Sequence, residues 1–256
     1  MIYDLQKADL WKRISAGIFD LILVVIVAVG LCWCISEIVD YDQYVEGLNR
    51  CYERYEAEYD IDLEIIGTEK YDSLSDAEKQ KYLDADEEFR NDKEVAYYNN
   101  MMYNLLLVMV VISVLVANII LEFVVPLILK NGQTLGKKIF SIGVMRYDGV
   151  RVSPLLMFVR TVLGKCTIET LIPLFLLFLL LVGGGGLFSI IGIALIVIGQ
   201  IVLTFVTYER TLMHDIMAQT CVIDMASQMI FNTPEDLLEY KKQIQAEKAA
   251  NSAYFN

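Results

Sequence analysis

The sequence is poor in the side chains that most enzymes and metal centres use. Its 256 residues include one histidine, His214, and the five cysteines show no zinc-ligand spacing. Neither a His-Glu-x-x-His nor a Gly-x-Ser-x-Gly motif occurs. We therefore predict no enzymatic activity, no metal and no cofactor. The pair His214–Asp215 is expected to have a local hydrogen-bonding role, since no nucleophile motif accompanies it.

A basic stripe with interleaved aromatic side chains, the usual mark of a nucleic-acid-binding surface, is also missing. The formal net charge is −12, but it is unevenly spread. Residues 37–100 hold 20 of the 33 acidic residues and only 7 of the 21 basic ones, so the rest of the chain is nearly neutral. We therefore expect no nucleic-acid partner, and the acidity describes one insert rather than the whole surface.

Apolar residues are abundant: 56% of the chain is hydrophobic and the mean hydropathy is +0.47. Four apolar runs each reach the roughly 20 residues that a helix needs to cross a bilayer. They cover residues 16–36, 101–129, 163–182 and 187–208. The first run is expected to stay as an anchor, because it is too long for a signal-peptide core and no small-x-small site follows it. The four glycines at 183–186 predict a tight turn within a transmembrane hairpin.

The positions of the basic residues predict on which side of the membrane each segment lies. They cluster before the first run, between residues 130 and 165, and after residue 208. Because Lys and Arg are enriched in cytoplasmic loops, we expect both termini and the 130–162 segment to be cytoplasmic. The predicted order is then an N-terminus with the first helix (1–36), an outward acidic insert (37–100), a second helix (101–129), a cytoplasmic segment (130–162), a helical hairpin (163–208) and a cytoplasmic tail (209–256).

The acidic insert is predicted to be helical. Its tyrosines recur mainly at three- and four-residue intervals, and Ser75-x-x-Glu78 is a capping box. Two helices that prolong the first two membrane helices would form an antiparallel hairpin with tyrosines packed between them. A surface that binds a partner or a cation is the alternative.

Several polar residues fall within the apolar runs, and four of them are candidate ion- or proton-binding residues: Asp20, Asn118, Glu122 and Glu169. An unpaired carboxylate at bilayer depth is costly, so these side chains should face protein or water. One interpretation is structural, with Arg160 or Lys165 neutralising a carboxylate. The other is that Asp20 and Glu122, at similar depths, bind a proton or a cation together with Asn118 and Glu169.

The segment 131–153 resembles a phosphate-binding loop only superficially. The spacing Gly132-x-x-x-Gly136 is one residue short of a Walker loop, and the lysines lack the following Ser or Thr. Its second half contains Asp148-Gly149 between strand-like runs, which predicts a β-hairpin. Residues 220–224 are expected to add a third strand, and Thr233 should cap a polar tail helix.

Together these residues resemble the RDD family of bacterial membrane proteins, named for one arginine and two aspartates. Arg13 and Asp20 are similar to the family's first pair, and Asp215 in "LMHDIMAQTCVI" is the candidate for its second aspartate. The segment "GQTLGKKIFSIGVMRYDGVRVS" looks like the family's signature, which gives Gly132, Thr134, Gly136 and Lys137 structural or gating roles. The resemblance covers residues 12–36, 101–165 and 200–225 and leaves out the acidic insert.

The resemblance implies a multi-pass protein of the bacterial plasma membrane and leaves two functions open. Some members of the family are linked to cation/proton antiport, which implies monovalent cations or protons as ligands. Others are linked to membrane-protein assemblies, which implies a non-catalytic scaffold that binds membrane-protein partners or a second copy of itself. The expected fold is an all-α polytopic membrane protein with four transmembrane helices, a small cytoplasmic β-hairpin and an extracytoplasmic helical insert.

Overall fold

A computed structural model of the chain describes residues 6–129, 131–207 and 211–254, with side chains through residue 249. Lys130 and Arg210 of the basic clusters, and Tyr208 at the end of the fourth run, lie outside the described residues. Four helices are long and apolar enough to cross a membrane, which confirms the predicted architecture. They are span 1 (Leu10–Val39), span 2 (Lys93–Leu129), span 3 (Pro154–Leu181) and span 4 (Gly186–Val206).

Three of the spans begin well before the apolar runs that revealed them, because caps rather than hydropathy set helix ends. Span 2 starts after Asp92, whose carboxylate accepts a hydrogen bond from the Glu94 N–H at 2.7 Å. Span 3 starts after Ser153, whose hydroxyl accepts from the Leu156 N–H. Only 6–22% of the most apolar window of each span is buried within the protein, so most of that surface is left for lipid.

Spans 2 and 3 are not regular α-helices. Span 2 consists of α-helix Lys93–Asn118, a π-helical segment Ile119–Val124 and α-helix Val125–Leu129. Span 3 consists of α-helix Pro154–Phe158, a longer π-helical segment Val159–Leu171 and α-helix Ile172–Leu181. π-helical turns are rare and are frequent at functional sites. These two segments carry four of the charged residues described below: Glu122, Arg160, Lys165 and Glu169.

The chain divides into two compact units: unit 1, Met1–Ala28 with Ser113–Asn256, and unit 2, Val29–Ile112. Unit 2 contains the acidic insert, whose helices are Tyr41–Tyr59, Glu69–Asp72 and Asp76–Asn91, with a 3₁₀ turn at Leu63–Ile65. Tyr55 is buried and packs edge-on against Phe89. The predicted capping box of Ser75 and Glu78 is present.

Unit 1 contains a small sheet whose pairing differs from the predicted hairpin. Strand β1 (Ile142–Arg146) pairs antiparallel with strand β2 (Thr220–Asp224), and Met145 lies opposite Cys221. The Asp148-Gly149 turn does fold the chain back, with the Arg146 N–H donating to the Val150 carbonyl. The returning residues, however, form only an isolated bridge, Met145–Arg151. The distant β2 occupies the other edge of β1 and supplies the second strand.

Two further segments complete this layer. Lys7 forms an antiparallel bridge with Ile223, and Val150 forms a parallel bridge with Phe231. The short helices Leu135–Ile139 and Met213–Met217 precede β1 and β2 respectively. The N-terminal segment, the segment after span 2 and the segment after span 4 therefore lie together in unit 1.

The tail helix, Pro234–Tyr254, begins as predicted with Thr233, whose hydroxyl accepts from the Asp236 N–H at 3.2 Å. Its first turns are not solvated on every side. Leu237 is buried and belongs to a cluster with Val150 and Phe231. The tail is therefore attached to the Asp148-Gly149 turn.

Candidate functional site

Asp20 of span 1 is held by the loop that follows span 2. Its side chain is only 5% exposed; one oxygen accepts from the Thr134 hydroxyl at 2.5 Å and the other from the Gly136 N–H at 2.8 Å. The Thr134 hydroxyl also accepts from the Lys137 N–H, which caps helix Leu135–Ile139. The loop that superficially resembles a phosphate cradle thus binds a carboxylate of its own chain.

Glycine is required at two positions of this loop, for a different physical reason at each. A Cβ on Gly136 would overlap the carbonyl oxygen of Ala16 and would lie 2.9 Å from the Asp20 carboxylate, so only glycine allows span 1 to approach. Gly132 has φ +61°, a left-handed conformation that glycine adopts freely, and its Cβ would meet Val144 at 3.0 Å.

Glu122 lies in the π-helical segment of span 2 and is 1% exposed. It is paired with the ammonium group of Lys165 in span 3, so one of the two expected cations does neutralise it. Its backbone carbonyl accepts from the Thr161 hydroxyl at 3.0 Å. Asn118 does not bind Glu122: its amide donates to the Val114 carbonyl of its own helix at 2.9 Å.

Asp215 is completely buried and is the centre of a second ion-pair cluster. Arg160 places Nε at 2.9 Å and Nη2 at 2.8 Å from one carboxylate oxygen, and Arg13 approaches the other at 3.8 Å. Burial raises the pKa of Asp215, but the Arg160 and Arg13 charges outweigh it and hold that pKa well below its usual range. The sequence placed Arg160 near Asp20 or Glu122, whereas it binds Asp215 because helix Met213–Met217 packs against the π-helical segment of span 3.

His214 connects this cluster to Glu169. Its Nε2 lies 3.2 Å from Nη2 of Arg160, and a guanidinium can only donate, so Nε2 must accept. The ring proton is then on Nδ1, which donates to the Glu169 carboxylate at 2.8 Å. Glu169 also accepts from the Gln200 amide of span 4 at 2.7 Å. This histidine is therefore held in one tautomer between a carboxylate and an arginine.

These groups line one cavity of about 350 Å³ within unit 1, called here the polar cavity. Spans 1–3 and the short helices Leu135–Ile139 and Met213–Met217 supply its charged wall. Four carboxylates line it: Asp20, Glu122, Glu169 and Asp215. Four cations face them: Arg13, Lys137, Arg160 and Lys165. Asn118 also borders the cavity, so the four predicted membrane polar residues are brought to a single space.

Sequence reasoning named most of these residues but missed most of their partnerships. The Arg160–Asp215 ion pair and the binding of Asp20 by Gly136 join residues 55 and 116 positions apart. A usable signal was the position of Arg160 in the second turn of a span, where a lone cation requires a counter-charge.

Comparison with known proteins identifies a family for this chain. A search of curated proteins and a search of solved structures each found no match. The RDD family matches residues 7–219, which include spans 1–4 and all eight charged residues of the polar cavity. The chain belongs to the RDD family.

Proposed function

We propose that this membrane protein exchanges monovalent cations for protons through the polar cavity. The observation that carries the proposal is that Asp20 and Glu122, from two different spans, are both buried and line the same 350 Å³ space. Burying a carboxylate in a membrane protein costs several kcal/mol of solvation unless it is compensated, so intramembrane carboxylates commonly mark ion and proton paths.

The charge balance of the polar cavity supports an exchange rather than a one-way flow. Among the described residues, four carboxylates line the polar cavity and face four cationic side chains. A cation that enters adds a charge in a medium of low dielectric, and that charge is best compensated if a proton leaves. An exchange of this kind keeps the net charge of the cavity constant.

Flux measurements on purified protein in liposomes test this function. We expect a gradient of Na⁺ or K⁺ to drive proton movement, read by a pH-sensitive dye trapped inside. The double variant Asp20→Asn, Glu122→Gln should lose most of the rate, because both carboxylates of the proposed path become neutral amides. Asp148→Asn is the matched control, since Asp148 pairs with Arg146 at an exposed turn, and it should leave the rate unchanged.

Two other outcomes of the flux measurement would count against the exchange function. Flux that persists in the double variant would contradict the proposal. Complete absence of flux in the wild type, with loss of thermal stability in the double variant, would favour the scaffold function. The closed ion pairs of Glu122 and Asp215 would then serve only to hold spans together.

A further inference from the structure

Lys137 differs from the other cations of the polar cavity. Arg160 and Lys165 each form an ion pair with a buried carboxylate, and Arg13 approaches Asp215. Lys137 borders the same space, but none of the described residues places a carboxylate oxygen within 4.0 Å of its Nζ. Its ammonium therefore lines the cavity without a direct counter-ion among the residues that the structure describes.

The position of Lys137 follows from the loop that holds Asp20. The backbone N–H of Gly136 donates to Asp20, and the next residue along the short helix is Lys137. Its side chain borders the cavity that Asp20 and Glu122 also line. The same loop thus fixes one carboxylate and presents one cation.

The surroundings of Lys137 favour the neutral form of its side chain. Burial lowers its pKa, Glu122 raises it, and the like charges of Arg160 and Lys165 lower it again, so the pKa falls to about 8 from 10.5. Asp20 of span 1 opposes this shift. On the remaining wall, Arg13 is near Asp215, and Nδ1 of His214 lies 2.8 Å from the Glu169 carboxylate.

We propose that Lys137 is the proton-carrying group of the polar cavity and releases its proton when a monovalent cation binds near Asp20 and Glu122. This inference rests on the proposed exchange function. The step is balanced: the N–H bond of the ammonium breaks, the electron pair stays on Nζ, and the proton leaves to water. The entering cation replaces the lost positive charge.

Proton release on cation binding tests this assignment on the purified full-length protein in detergent. NaCl or KCl is added, with choline chloride at equal ionic strength as the reference, and calorimetry in two buffers of different ionisation enthalpy counts the protons. We expect about one proton per cation near pH 7. The count should fall as the pH rises through about 8, because the unbound lysine is then already neutral.

Substitutions test whether Lys137, rather than a neighbouring residue, releases the proton. Lys137→Arg keeps the charge but does not deprotonate in this range, so release should disappear. Lys137→Met should bind the cation with no proton release. The matched control is Lys138→Arg, at an exposed neighbouring position, which should behave as the wild type.

The outcomes distinguish the two proposals. If the liposomes show exchange and Lys137→Arg still releases protons with the wild-type pH profile, the assignment of Lys137 is wrong and the exchange function stands. If the wild type shows neither flux nor proton release, both proposals fail. Exchange that is lost in Lys137→Arg, in a monodisperse and cooperatively unfolding sample, supports both.

Discussion

At the scale of single residues, the buried charges of this protein are arranged as small closed groups. Asp20 has a hydroxyl and a backbone N–H, Glu122 has Lys165, and Asp215 has Arg160. Removing one member of such a group leaves the other charge uncompensated, which typically costs about 3–5 kcal/mol. Functional tests on these residues therefore need a folding measurement beside them.

A substitution at Gly136 tests the close approach between this loop and span 1 without removing a charge, because glycine contributes no side chain to the chemistry. In Gly136→Ala the new Cβ would overlap the Ala16 carbonyl oxygen, so span 1 and the loop must separate. Overpacking of this kind costs about 1–3 kcal/mol. We expect a clear fall in the midpoint of thermal unfolding in detergent.

Gly199→Ala in span 4 is the matched control. Apart from the backbone of its own helix and its chain neighbours, no heavy atom of the described residues lies within 4 Å of the position that the new methyl group would take. Alanine also favours helix over glycine by about 1 kcal/mol. The control should unfold at the wild-type temperature or above it. Equal destabilisation by both substitutions would show that the close approach of Gly136 and span 1 does not contribute to stability.

The sequence singled out residues that line one cavity, but it did not predict most of their pairings. Asp20 stood out because a carboxylate within an apolar run needs a partner, whereas Thr134 and Asp215 were named through the resemblance to the RDD family. The partners of Asp20 and Asp215 lie 114 and 55 positions away, so helix packing rather than local spacing selects them. Hydropathy carries no information on that packing.

At the scale of elements, local chemistry and long-range pairing competed, and the long-range pairing prevailed in the sheet. The Asp148-Gly149 signal correctly predicted a turn. Residues after the turn cannot build a full strand, because Ser153 caps span 3 shortly after Arg151. The opposite edge of β1 is paired with β2 in register from Thr220 to Asp224, so the second full strand comes from a distant part of the chain.

At the scale of elements, the prediction concerns how the tail helix is attached to the rest of unit 1. Leu237 is 8% exposed and packs on Val150 and Phe231, whereas its neighbour Leu238 is 56% exposed. Leu→Ala at a buried position costs about 2–5 kcal/mol. We expect Leu237→Ala to release the helix locally, so amide hydrogen exchange should accelerate at its first turns while spans 1–4 stay protected.

Leu238→Ala is the control, with the same change of side chain at an exposed position. Its exchange pattern should match the wild type. If Leu237→Ala also leaves exchange of the tail helix unchanged, the tail is held by contacts other than this cluster.

At the scale of the whole molecule, hydropathy was sufficient to predict the four spans, because each is apolar over a full bilayer thickness. It did not indicate the π-helical segments Ile119–Val124 and Val159–Leu171. There, hydroxyls such as those of Thr161 and Thr170 stabilise the altered geometry by donating to backbone carbonyls. The Thr170 bond lies within span 3, whereas the Thr161 bond reaches the Glu122 carbonyl of span 2, so part of this compensation depends on a neighbouring span.

Membrane orientation is the last prediction. The N-terminal segment, the segment after span 2 and the segment after span 4 meet in one sheet, so they share one side of the membrane. Their excess of Lys and Arg predicts that this side is cytoplasmic and that the acidic insert faces outward. Single cysteines introduced as Asp148→Cys and Glu87→Cys, in a chain whose five native cysteines are replaced, report the two sides.

In bacterial spheroplasts, a membrane-impermeant maleimide should label position 87 at once and position 148 only after lysis. The cysteine-free parent chain is the control for labelling of other groups. Labelling of position 148 in intact spheroplasts would contradict the predicted orientation. It would place Lys137 and the loop that holds Asp20 on the outer side, so the direction of any proton release would reverse with it.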